Sequence, residues 1–290
     1  MLQPHRRVIP KIVLIFSVFC LAALAVMGFG GDIAPLPAKQ WNQENLAKIQ
    51  SAAAEPVTFA VMGDSRDNPM VFGGVLNKVD RDSDLAFVIH LGDMVREANL
   101  GQYQTFFTVA RQNLHKPLLA VVGNHELYGD QDLDLFHQIF GQDYYAFQIG
   151  QNYFIVINDA AEEEGMSQAQ LRWLEAELQK SQNYKTRMVF CHIPMYDPRD
   201  GDKPHCQKPE EAAKLLALFK KYNVTHVFAG HIHSYYAGDW KGLPYTITGG
   251  AGAPLSGTDP QHAFYHYLKV SLRGDQVQIQ VAPLAEPAGK

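Results

Sequence analysis

Cysteine is scarce in this chain, with 3 residues in a total of 290. So low a content excludes a small scaffold held together by disulfide bonds. With 47% hydrophobic and 19% charged residues, the chain also lies outside the disordered and collagen-like classes. Internal repeats and low-complexity linkers are absent from the sequence as well. One large domain with a full hydrophobic core is therefore the simplest organisation.

Runs of basic residues are also missing, since Lys and Arg occur at most in pairs. There are 30 acidic residues against 25 basic ones, which gives a formal net charge of −5. Residues 1–31 hold three basic and no acidic residues, so that without them 22 basic side chains face 30 acidic ones and the charge is −8. A chain of this charge lacks the electrostatic footprint of a nucleic-acid-binding protein. We therefore expect no nucleic-acid partner, and bound cations can offset part of the negative charge.

A long apolar run lies near the N-terminus, in residues 12–29, and follows the basic residues Arg6, Arg7 and Lys11. This order is typical of a secretory signal peptide, with Ala23-Leu24-Ala25 as a candidate cleavage site. Because these 18 residues are also just long enough to span a bilayer, residues 1–31 are either a signal peptide or a membrane anchor. In both cases the positive-inside rule places the rest of the chain outside the cytoplasm, secreted, periplasmic or anchored.

Two cysteines remain after that segment, Cys191 and Cys206. In an oxidising compartment they can form a disulfide that closes a loop of 15 residues and stabilises the fold by about 3 kcal/mol. The alternative is a buried free thiol at Cys191, on a strand, and an exposed free thiol at Cys206. The sequence leaves both open.

Apolar runs alternate with helical patterns from residue 56 onward. Strands are predicted at 57–62, 85–91 and 118–122, and helices at 69–80 and 102–114. This β-α-β-α-β order predicts a parallel sheet covered by helices, and so an α/β fold. The domain is expected to cover residues 56–285. Before it, residues 32–55 are interpreted as a tether with a short amphipathic helix that packs loosely on the domain.

Further elements are predicted in the second half of the chain. They are a short helix at 132–140, a hairpin at 144–158, a helix at 168–179 capped by Ser167, a strand at 187–191, a helix at 210–222 and a strand at 224–229. The C-terminal part is rich in predicted strands, at 244–248, 262–272 and 276–281. This clustering suggests that they form a second sheet.

Polar residues of the kinds that bind metals follow five of the predicted strands. The five segments are Gly63-Asp64-Ser65-Arg66-Asp67, Gly92-Asp93, Gly123-Asn124-His125-Glu126, His192-Ile193-Pro194 and Gly230-His231-Ile232-His233. One Asn-His turn alone is best read as an ordinary surface turn, but five such strand ends are hard to explain by packing. Carboxylate, amide and imidazole groups gathered at one edge are the ligands that a pair of divalent metal ions needs.

In order and content these segments resemble the motifs of the calcineurin-like metallophosphoesterase superfamily, over about residues 57–235. Those motifs are Asp-x-His, Gly-Asp, Gly-Asn-His-(Glu/Asp), a single His after a strand, and Gly-His-x-His. The segments His192-Ile193-Pro194-Met195-Tyr196 and Gln170-Leu171-Arg172-Trp173-Leu174 look most similar to the purple-acid-phosphatase-like branch. The resemblance implies an α/β fold in which a two-sheet β-sandwich is flanked by helices, in four layers αββα, with the metal site at the carboxyl ends of the strands.

The resemblance also implies two divalent metal ions, of Mn, Zn or Fe, and a ligand for each motif. The implied ligands are Asp64 and His233 for the first ion, Asn124, His192 and His231 for the second, and Asp93 as the bridge between them. In the mechanism that the family implies, hydroxide bound by both ions attacks phosphorus in line. His125 is expected to protonate the leaving oxygen or to stabilise its developing charge; its alternative role is to orient a ligand.

Two positions depart from the family pattern. Arg66 stands where the first motif normally has His, and Arg96 stands where purple acid phosphatases have a metal-binding Tyr. The first ion is therefore expected to bind weakly or to recruit another oxygen ligand such as Asp67, and without a tyrosinate the protein is expected to be colourless. Arg66 itself either clamps the substrate phosphate, as a catalytic residue, or forms an ion pair with Asp67 or Glu97.

Together these residues predict an exported, metal-dependent phosphoric ester hydrolase. We expect a phosphomonoesterase rather than a diesterase, acting on a small-molecule or exposed phosphoester. One alternative is a degenerate phosphoesterase fold that serves as a binding or scaffold module, which would explain the missing ligand. Another is a membrane-anchored phosphodiesterase held by residues 12–29.

Overall fold

The computed structural model describes residues 35–52, 55–128, 133–161, 165–199 and 205–285. The predicted signal peptide or anchor at residues 1–31 lies outside these ranges. Within them, no helix is both long enough and apolar enough to cross a membrane. All of the strands described below fall inside the span 56–285 that the sequence assigned to the domain.

The described elements follow the chain in this order. The strands are β1 (Val57–Met62), β2 (Val88–His90), β3 (Leu118–Ala120), β4 (Tyr145–Ile149), β5 (Asn152–Val156), β6 (Thr186–Phe190), β7 (His226–Ala229), β8 (Tyr235–Asp239), β9 (Pro244–Thr248), β10 (His266–Arg273) and β11 (Gln276–Pro283). The helices are α1 (Trp41–Ala52), α2 (Pro69–Arg81), α3 (Leu100–Asn113), α4 (Asp134–Phe140), α5 (Gln168–Lys180) and α6 (Pro209–Lys221). Two short 3₁₀ helices lie at Asn124–Leu127 and Ser181–Asn183.

The strands form two mixed sheets. Sheet 1 has the order β11-β10-β1-β2-β3, and sheet 2 has the order β4-β5-β6-β7-β9-β8. In sheet 1 the strands β1, β2 and β3 are parallel, as predicted, and in sheet 2 so are β5, β6 and β7. Parallel neighbours end at the same edge of a sheet, so the carboxyl ends of β1, β2 and β3 meet at one edge of sheet 1, and those of β5, β6, β7 and β9 meet at one edge of sheet 2.

Alternating side chains of β1 enter two different cores, as the pleat of a strand buried on both faces requires. In β1, Phe59 and Val61 point into the space between the sheets, whereas Ala60 and Met62 belong to the cluster formed with α2, α3 and α4. On the outer face of sheet 2, a third cluster includes buried residues of α5 and α6. The result is the four-layer αββα arrangement, which confirms the predicted fold class.

Aromatic rings fill the space between the two sheets. The ring of Phe59 meets that of Phe154 edge-on at 5.5 Å, and Phe154 stacks on Phe190 at 6.1 Å. All three side chains are fully buried, and each contributes about 1.5–3 kcal/mol from the burial of its apolar surface. This inner layer packs the two sheets against each other, and so brings together the edges that carry their carboxyl ends.

Helix α1 is docked more firmly than a loosely packed tether would be. The indole Nε1 of Trp41 donates to the carbonyl oxygen of Leu118 at 2.7 Å. The side-chain amide of Asn42 makes two hydrogen bonds to Ala120. Its Nδ2 donates to the carbonyl oxygen of Ala120 at 3.0 Å, and its Oδ1 accepts from the backbone N–H of Ala120 at 2.8 Å. Because β3 is the edge strand of sheet 1, these side chains satisfy backbone groups that have no strand partner.

The sequence suggested that the C-terminal strands form a second sheet of their own, and this prediction was wrong. β10 and β11 instead extend sheet 1, with β10 antiparallel to β1, while β9 joins sheet 2 beside β7. One strand, β8, escaped prediction because its residues are partly or fully exposed and it contains Gly238 and Asp239, which strands disfavour. The apolar content of β10 had shown that it is a strand, but not which strand it would pair with.

Candidate metal centre

The five strand ends singled out in the sequence lie together at one edge of the molecule. The backbone N–H of Asp64, after β1, donates to the carbonyl of Gly92, after β2, at 3.0 Å. Two further bonds cross between the sheets: His192 Nδ1 donates to the carbonyl of Leu91 at 2.7 Å, and the N–H of His231 donates to Asp64 Oδ2 at 3.0 Å. The carboxyl ends of both sheets are thus joined into one framework.

Three of the predicted ligands have left-handed backbone conformations. The φ angle is 62° at Asp64, 56° at Asp93 and 66° at His231. Such values cost a non-glycine residue about 1–3 kcal/mol and persist where the surrounding structure enforces them. Next to them, a Cβ on Gly123 would overlap the Asp93 carboxylate, so only glycine fits at that position. These turns bring short side chains back over the ends of their own strands.

Three potential ligand atoms converge on one side of the centre. Asn124 Oδ1 lies 2.9 Å from His192 Nε2 and 3.0 Å from His231 Nδ1, and the two imidazole nitrogens are 3.3 Å apart. The orientation of each ligand is fixed from behind: His192 donates its Nδ1 proton to Leu91, and the Asn124 amide donates to the Tyr128 hydroxyl at 3.1 Å. One carbonyl oxygen and two imidazole nitrogens are ligands that zinc, manganese and iron all accept, so this donor set fits a divalent ion.

The charges around these atoms also favour a cation. The Asp93 carboxylate lies 3.3 Å from His192 Nε2, and ligand atoms of Asp64, Asp93 and His192 all lie within 4.8 Å of one another. Burial raises the pKa of Asp64 to about 7 and lowers that of His231 to about 3. Burial opposes a charge on His192 as well, yet Asp93 and Asp64 raise its pKa to about 9. His192 thus holds a proton that a metal ion would displace.

The other side of the centre differs, because an arginine reaches into it. His233 donates its Nδ1 proton to the carbonyl of Pro254 at 2.7 Å, which leaves Nε2 as an acceptor, 3.5 Å from Asp64 Oδ1. The guanidinium of Arg66 lies against this acceptor, with Nη2 at 3.3 Å from Nε2 of His233. Its Nε lies 3.3 Å from Asp93 Oδ2.

Asp67 does not stand among the ligands. Its carboxylate pairs with Arg66 Nη1 at 2.6 Å and accepts two bonds from Arg96, at 2.8 and 2.7 Å. The ion pair between Arg66 and Asp67, which was one of the two sequence-based expectations for Arg66, is therefore present, together with a second pair to Asp93. Only 11% of the Arg66 side chain is exposed, against 56% for Arg96.

Residues 57–235 match the sequence profile of the family described as calcineurin-like phosphoesterase. The chain belongs to this family. The superfamily and the enzyme class expected from the motifs, a metallophosphoesterase, are thereby confirmed. The six ligands and the two catalytic residues, by contrast, stay predictions, which the geometry supports without testing them.

Individual phosphoesterases of the family are similar over part of their length. The chain is 28% identical to rat serine/threonine-protein phosphatase CPPED1 over 189 residues, which are 58% of this chain and 60% of that protein, so it spans less than two thirds of the relative. It is 27% identical to the "Probable cyclic nucleotide phosphodiesterase RPA0124" of Rhodopseudomonas palustris over 218 residues, 68% of this chain and 77% of that one. The structure of purple acid phosphatase PPD1 from yellow lupin has the same fold, with a TM-score of 0.64 and 15% identity over 80% of this chain and 52% of that one.

In this phosphoesterase, His125 is held at the mouth of the centre. Its backbone N–H donates to Asp93 Oδ1 at 3.1 Å, and its Nδ1 donates to the carbonyl of Arg96 at 2.7 Å. The other ring nitrogen, Nε2, lies 3.8 Å from Asp93 Oδ2, and the ring rests edge-on against Tyr128. Burial lowers the pKa of His125, and Asp93 opposes this effect. The position fits a group that exchanges a proton with a bound substrate.

Glu126 supports the turn that carries Asp93. Its fully buried carboxylate accepts the backbone N–H groups of Gly123 at 2.7 Å, Asp93 at 2.8 Å and Met94 at 2.9 Å. Burial raises the pKa of Glu126 to about 8, while these donors act in the opposite direction. The carboxylate therefore joins the turn after β2 to the turn after β3, and so sets the distance between the ligands on the two strands.

Asp159 has a comparable role that the sequence did not reveal. Its carboxylate accepts the backbone N–H of His192 at 2.9 Å and that of Ile193 at 3.1 Å, and Gln207 donates to it at 3.0 Å. The missed signal was a sixth strand end, since Asp159 follows β5 in the same way that the other polar residues follow their strands. It was not singled out because it matches none of the family's motifs.

An open cavity of about 450 Å³ lies over the centre. It is lined by Arg66, Asp93, Asn124, His125, Tyr128, His205, Cys206, His231, His233 and Ser256. Cys206 is half-buried in this wall, and Cys191 is buried at the end of β6; both are free thiols, so the alternative without a disulfide applies. The predicted catalytic residues and four of the six predicted ligands reach this one cavity, and Asp64 and His192 are fully buried behind them.

Proposed function

We propose that the chain is a metal-dependent phosphoric ester hydrolase that is exported from the cytoplasm and acts on phosphomonoesters. The observation that carries the proposal is the convergence of Asn124 Oδ1, His192 Nε2 and His231 Nδ1 within 3.3 Å of one another, beside Asp93. An amide oxygen and two imidazole nitrogens gathered beside a carboxylate are ligands for a divalent ion, which would displace the proton that His192 holds. A fold kept only as a scaffold would have no physical need for them.

The chain's own residues would bind and orient the substrate. A divalent ion at this site would act as a Lewis acid on the phosphoryl oxygens and lower the pKa of a coordinated water. Arg66 has five N–H groups, of which three engage Asp67, Asp93 and His233, so that two remain for phosphate oxygens. His125 is fixed at Nδ1 by the carbonyl of Arg96, so that in its protonated form it would pass the proton on Nε2 to the leaving oxygen.

A phosphomonoester suits this arrangement better than a diester. A terminal phosphate has three non-bridging oxygens and can meet the guanidinium of Arg66 and a metal ion at the same time, whereas a diester has only two such oxygens and less charge. The name of the rat relative, a serine/threonine-protein phosphatase, is consistent with monoester chemistry. The second candidate is a phosphodiesterase, favoured by the name of the Rhodopseudomonas relative and by the openness of the cavity towards solvent.

Export is supported by the basic residues and the apolar run at residues 12–29. We expect the protein outside the cytoplasm, either released after cleavage or anchored and facing outwards, with no nucleic-acid partner. Fractionation of cells that express the full chain, followed by mass spectrometry of its N-terminus, tests this part. Recovery of the intact N-terminus in the soluble cytoplasmic fraction would contradict it.

A substrate panel tests the chemistry. The full chain is loaded with Mn²⁺ and assayed on p-nitrophenyl phosphate, bis(p-nitrophenyl) phosphate and a cyclic nucleotide, before and after EDTA treatment. We expect the highest kcat/KM for the monoester, and loss of activity with EDTA that Mn²⁺ restores. A preference for either diester would favour the phosphodiesterase. No turnover by folded, metal-loaded protein would favour the scaffold.

A further inference from the structure

The guanidinium of Arg66 lies between two side chains that the family resemblance assigns to the first metal ion. Its Nη2 is 3.3 Å from His233 Nε2, and its Nε is 3.3 Å from Asp93 Oδ2. A zinc-type ion would need both of these ligand atoms at about 2.0–2.2 Å. With hydrogen-bonding nitrogen atoms already against both, the guanidinium fills the space that such an ion would occupy.

The hydrogen bonding of His233 matches this arrangement. Because its Nδ1 donates to the carbonyl of Pro254, its Nε2 carries the lone pair that would otherwise bind a metal. Arg66 can only donate, since its guanidinium has no acceptor and keeps its charge. The Nε2 lone pair is therefore satisfied by a donor that belongs to the chain.

Arg66 is held in this position from several sides. Its backbone N–H donates to the carbonyl of Asp93 at 3.1 Å, and its Nη1 pairs with Asp67 at 2.6 Å. Asp67 is in turn fixed by two bonds from Arg96. With 11% of its side chain exposed, Arg66 would have to break three polar contacts to leave the centre.

The opposite side of the centre is built differently. The group of Asn124, His192 and His231 brings three potential ligand atoms together, and the described structure places no Lys or Arg nitrogen within hydrogen-bonding distance of these three atoms. The two sides thus differ in the cation that offsets the carboxylates of Asp64 and Asp93. On one side it is the guanidinium of Arg66, and the other side has room for a metal ion.

We propose that this centre binds a single divalent ion, through Asn124, His192, His231 and Asp93, and that the Arg66 guanidinium replaces the second ion of the family. Arg66 then supplies a permanent positive charge where a second metal would contact the phosphoryl group. The part of this proposal that concerns the phosphoryl group rests on the proposed function. The part that concerns the number of metal ions does not.

Metal stoichiometry tests the proposal without any assay of turnover. The full chain and its variants are saturated with Mn²⁺ and desalted. Bound manganese per folded chain is then measured by inductively coupled plasma mass spectrometry, and electron paramagnetic resonance distinguishes isolated ions from exchange-coupled pairs. Arg66→His restores the family's ligand. Arg96→Ala is the matched control, because it removes the other arginine that pairs with Asp67 but leaves Arg66 in place.

We expect one isolated ion in the wild-type protein and in Arg96→Ala, and two coupled ions in Arg66→His. Two coupled ions in the wild type would overturn the proposal. So would a single ion in a folded Arg66→His variant, because removal of the guanidinium would then not have opened the second site, and so would a second ion in Arg96→Ala. Circular dichroism establishes that each variant is folded. Absence of hydrolysis together with one bound ion would count against the proposed function alone.

Discussion

The Nε2 atom of His192 lies 2.9 Å from Oδ1 of Asn124. The two residues follow strands of different sheets, β6 and β3, so this contact joins the sheets at the edge that carries the candidate metal centre. Without a metal ion, His192 is protonated and donates to this oxygen, whereas a metal ion bound by both atoms would take the place of that proton. Metal binding and the stability of the fold should therefore be linked.

Metal removal is expected to lower the melting temperature of the protein. An ion that binds only the folded state, at a concentration one hundred times its Kd, raises the free energy of unfolding by about 2.7 kcal/mol. Thermal unfolding followed by circular dichroism in EDTA and in Mn²⁺ measures this difference. It should vanish in Asn124→Ala and persist in His115→Ala, whose imidazole is 83% exposed. An unchanged melting temperature in the wild type would contradict the link.

His125→Ala is expected to lower kcat by about 10²–10⁴, because a positioned proton donor contributes that much, while bound metal stays unchanged. The loss should depend on the leaving group. It should be larger for an alkyl phosphate, whose leaving oxygen needs a proton, than for p-nitrophenyl phosphate. Kinetics on both substrates, together with metal analysis, check this prediction. Equal losses on both would rule out proton donation, and loss of metal would show that His125 orients a ligand instead.

Glu126→Gln is expected to destabilise the fold by about 2–3 kcal/mol, because the amide would turn its NH₂ group towards backbone N–H groups that now donate to the two carboxyl oxygens. Those groups are the N–H groups of Gly123, Asp93 and Met94. Urea unfolding of metal-free protein measures the change. The exposed Glu97→Gln serves as control and should shift the free energy of unfolding by less than about 0.5 kcal/mol. A Glu126→Gln variant as stable as this control would refute the supporting role.

Acid should destabilise the fold through two buried histidines outside the centre. His226 and His266 each bond a threonine hydroxyl of β9, at 3.0 Å, and burial lowers the pKa of each from 6.5 to about 4. The unfolded chain binds these protons below pH 6.5 and the folded chain only below about pH 4, so the free energy of unfolding falls as the pH falls through this window. Each histidine contributes about 3 kcal/mol over the window.

Urea unfolding at several values between pH 4 and pH 7 measures this slope. The double variant His226→Gln, His266→Gln is compared with the wild type by the slope of its stability against pH. Absolute stability is not compared, because loss of the buried hydrogen bonds changes it as well. We expect a shallower slope in the variant. A slope equal to that of the wild type would show that these histidines do not account for the sensitivity to acid.

It was predictable that the ligands would lie together, because their position depends on the local sequence pattern at the end of each strand. Parallel strands end at one edge, so that a polar residue directly after a buried run, such as Asp64, Asp93 or Asn124, is placed by the strand itself. Strand and helix types in the β-α-β-α-β part followed from periodicity for the same reason. The family's motif order then supplied the roles of these residues, which spacing alone does not give.

Features that depend on distant parts of the chain were not predictable from the sequence. The pairing of β10 with β1, the docking of Trp41 on Leu118, and the contact of Asp159 with His192 all join segments far apart in the chain. The position of Arg66 is of the same kind. The sequence left open whether it clamps phosphate or pairs with a carboxylate, and only the fold brings its guanidinium against Asp93 and His233 together.

Hydrolysis of p-nitrophenyl phosphate by Mn²⁺-loaded wild-type protein and by Asp93→Asn tests the central claim most directly. Asp93 lies between the two sides of the centre, 3.3 Å from His192 Nε2 and 3.3 Å from Arg66 Nε. The account predicts metal-dependent turnover in the wild type and none above background in the folded variant. Undiminished turnover in Asp93→Asn, or none in the folded and metal-loaded wild type, would contradict it.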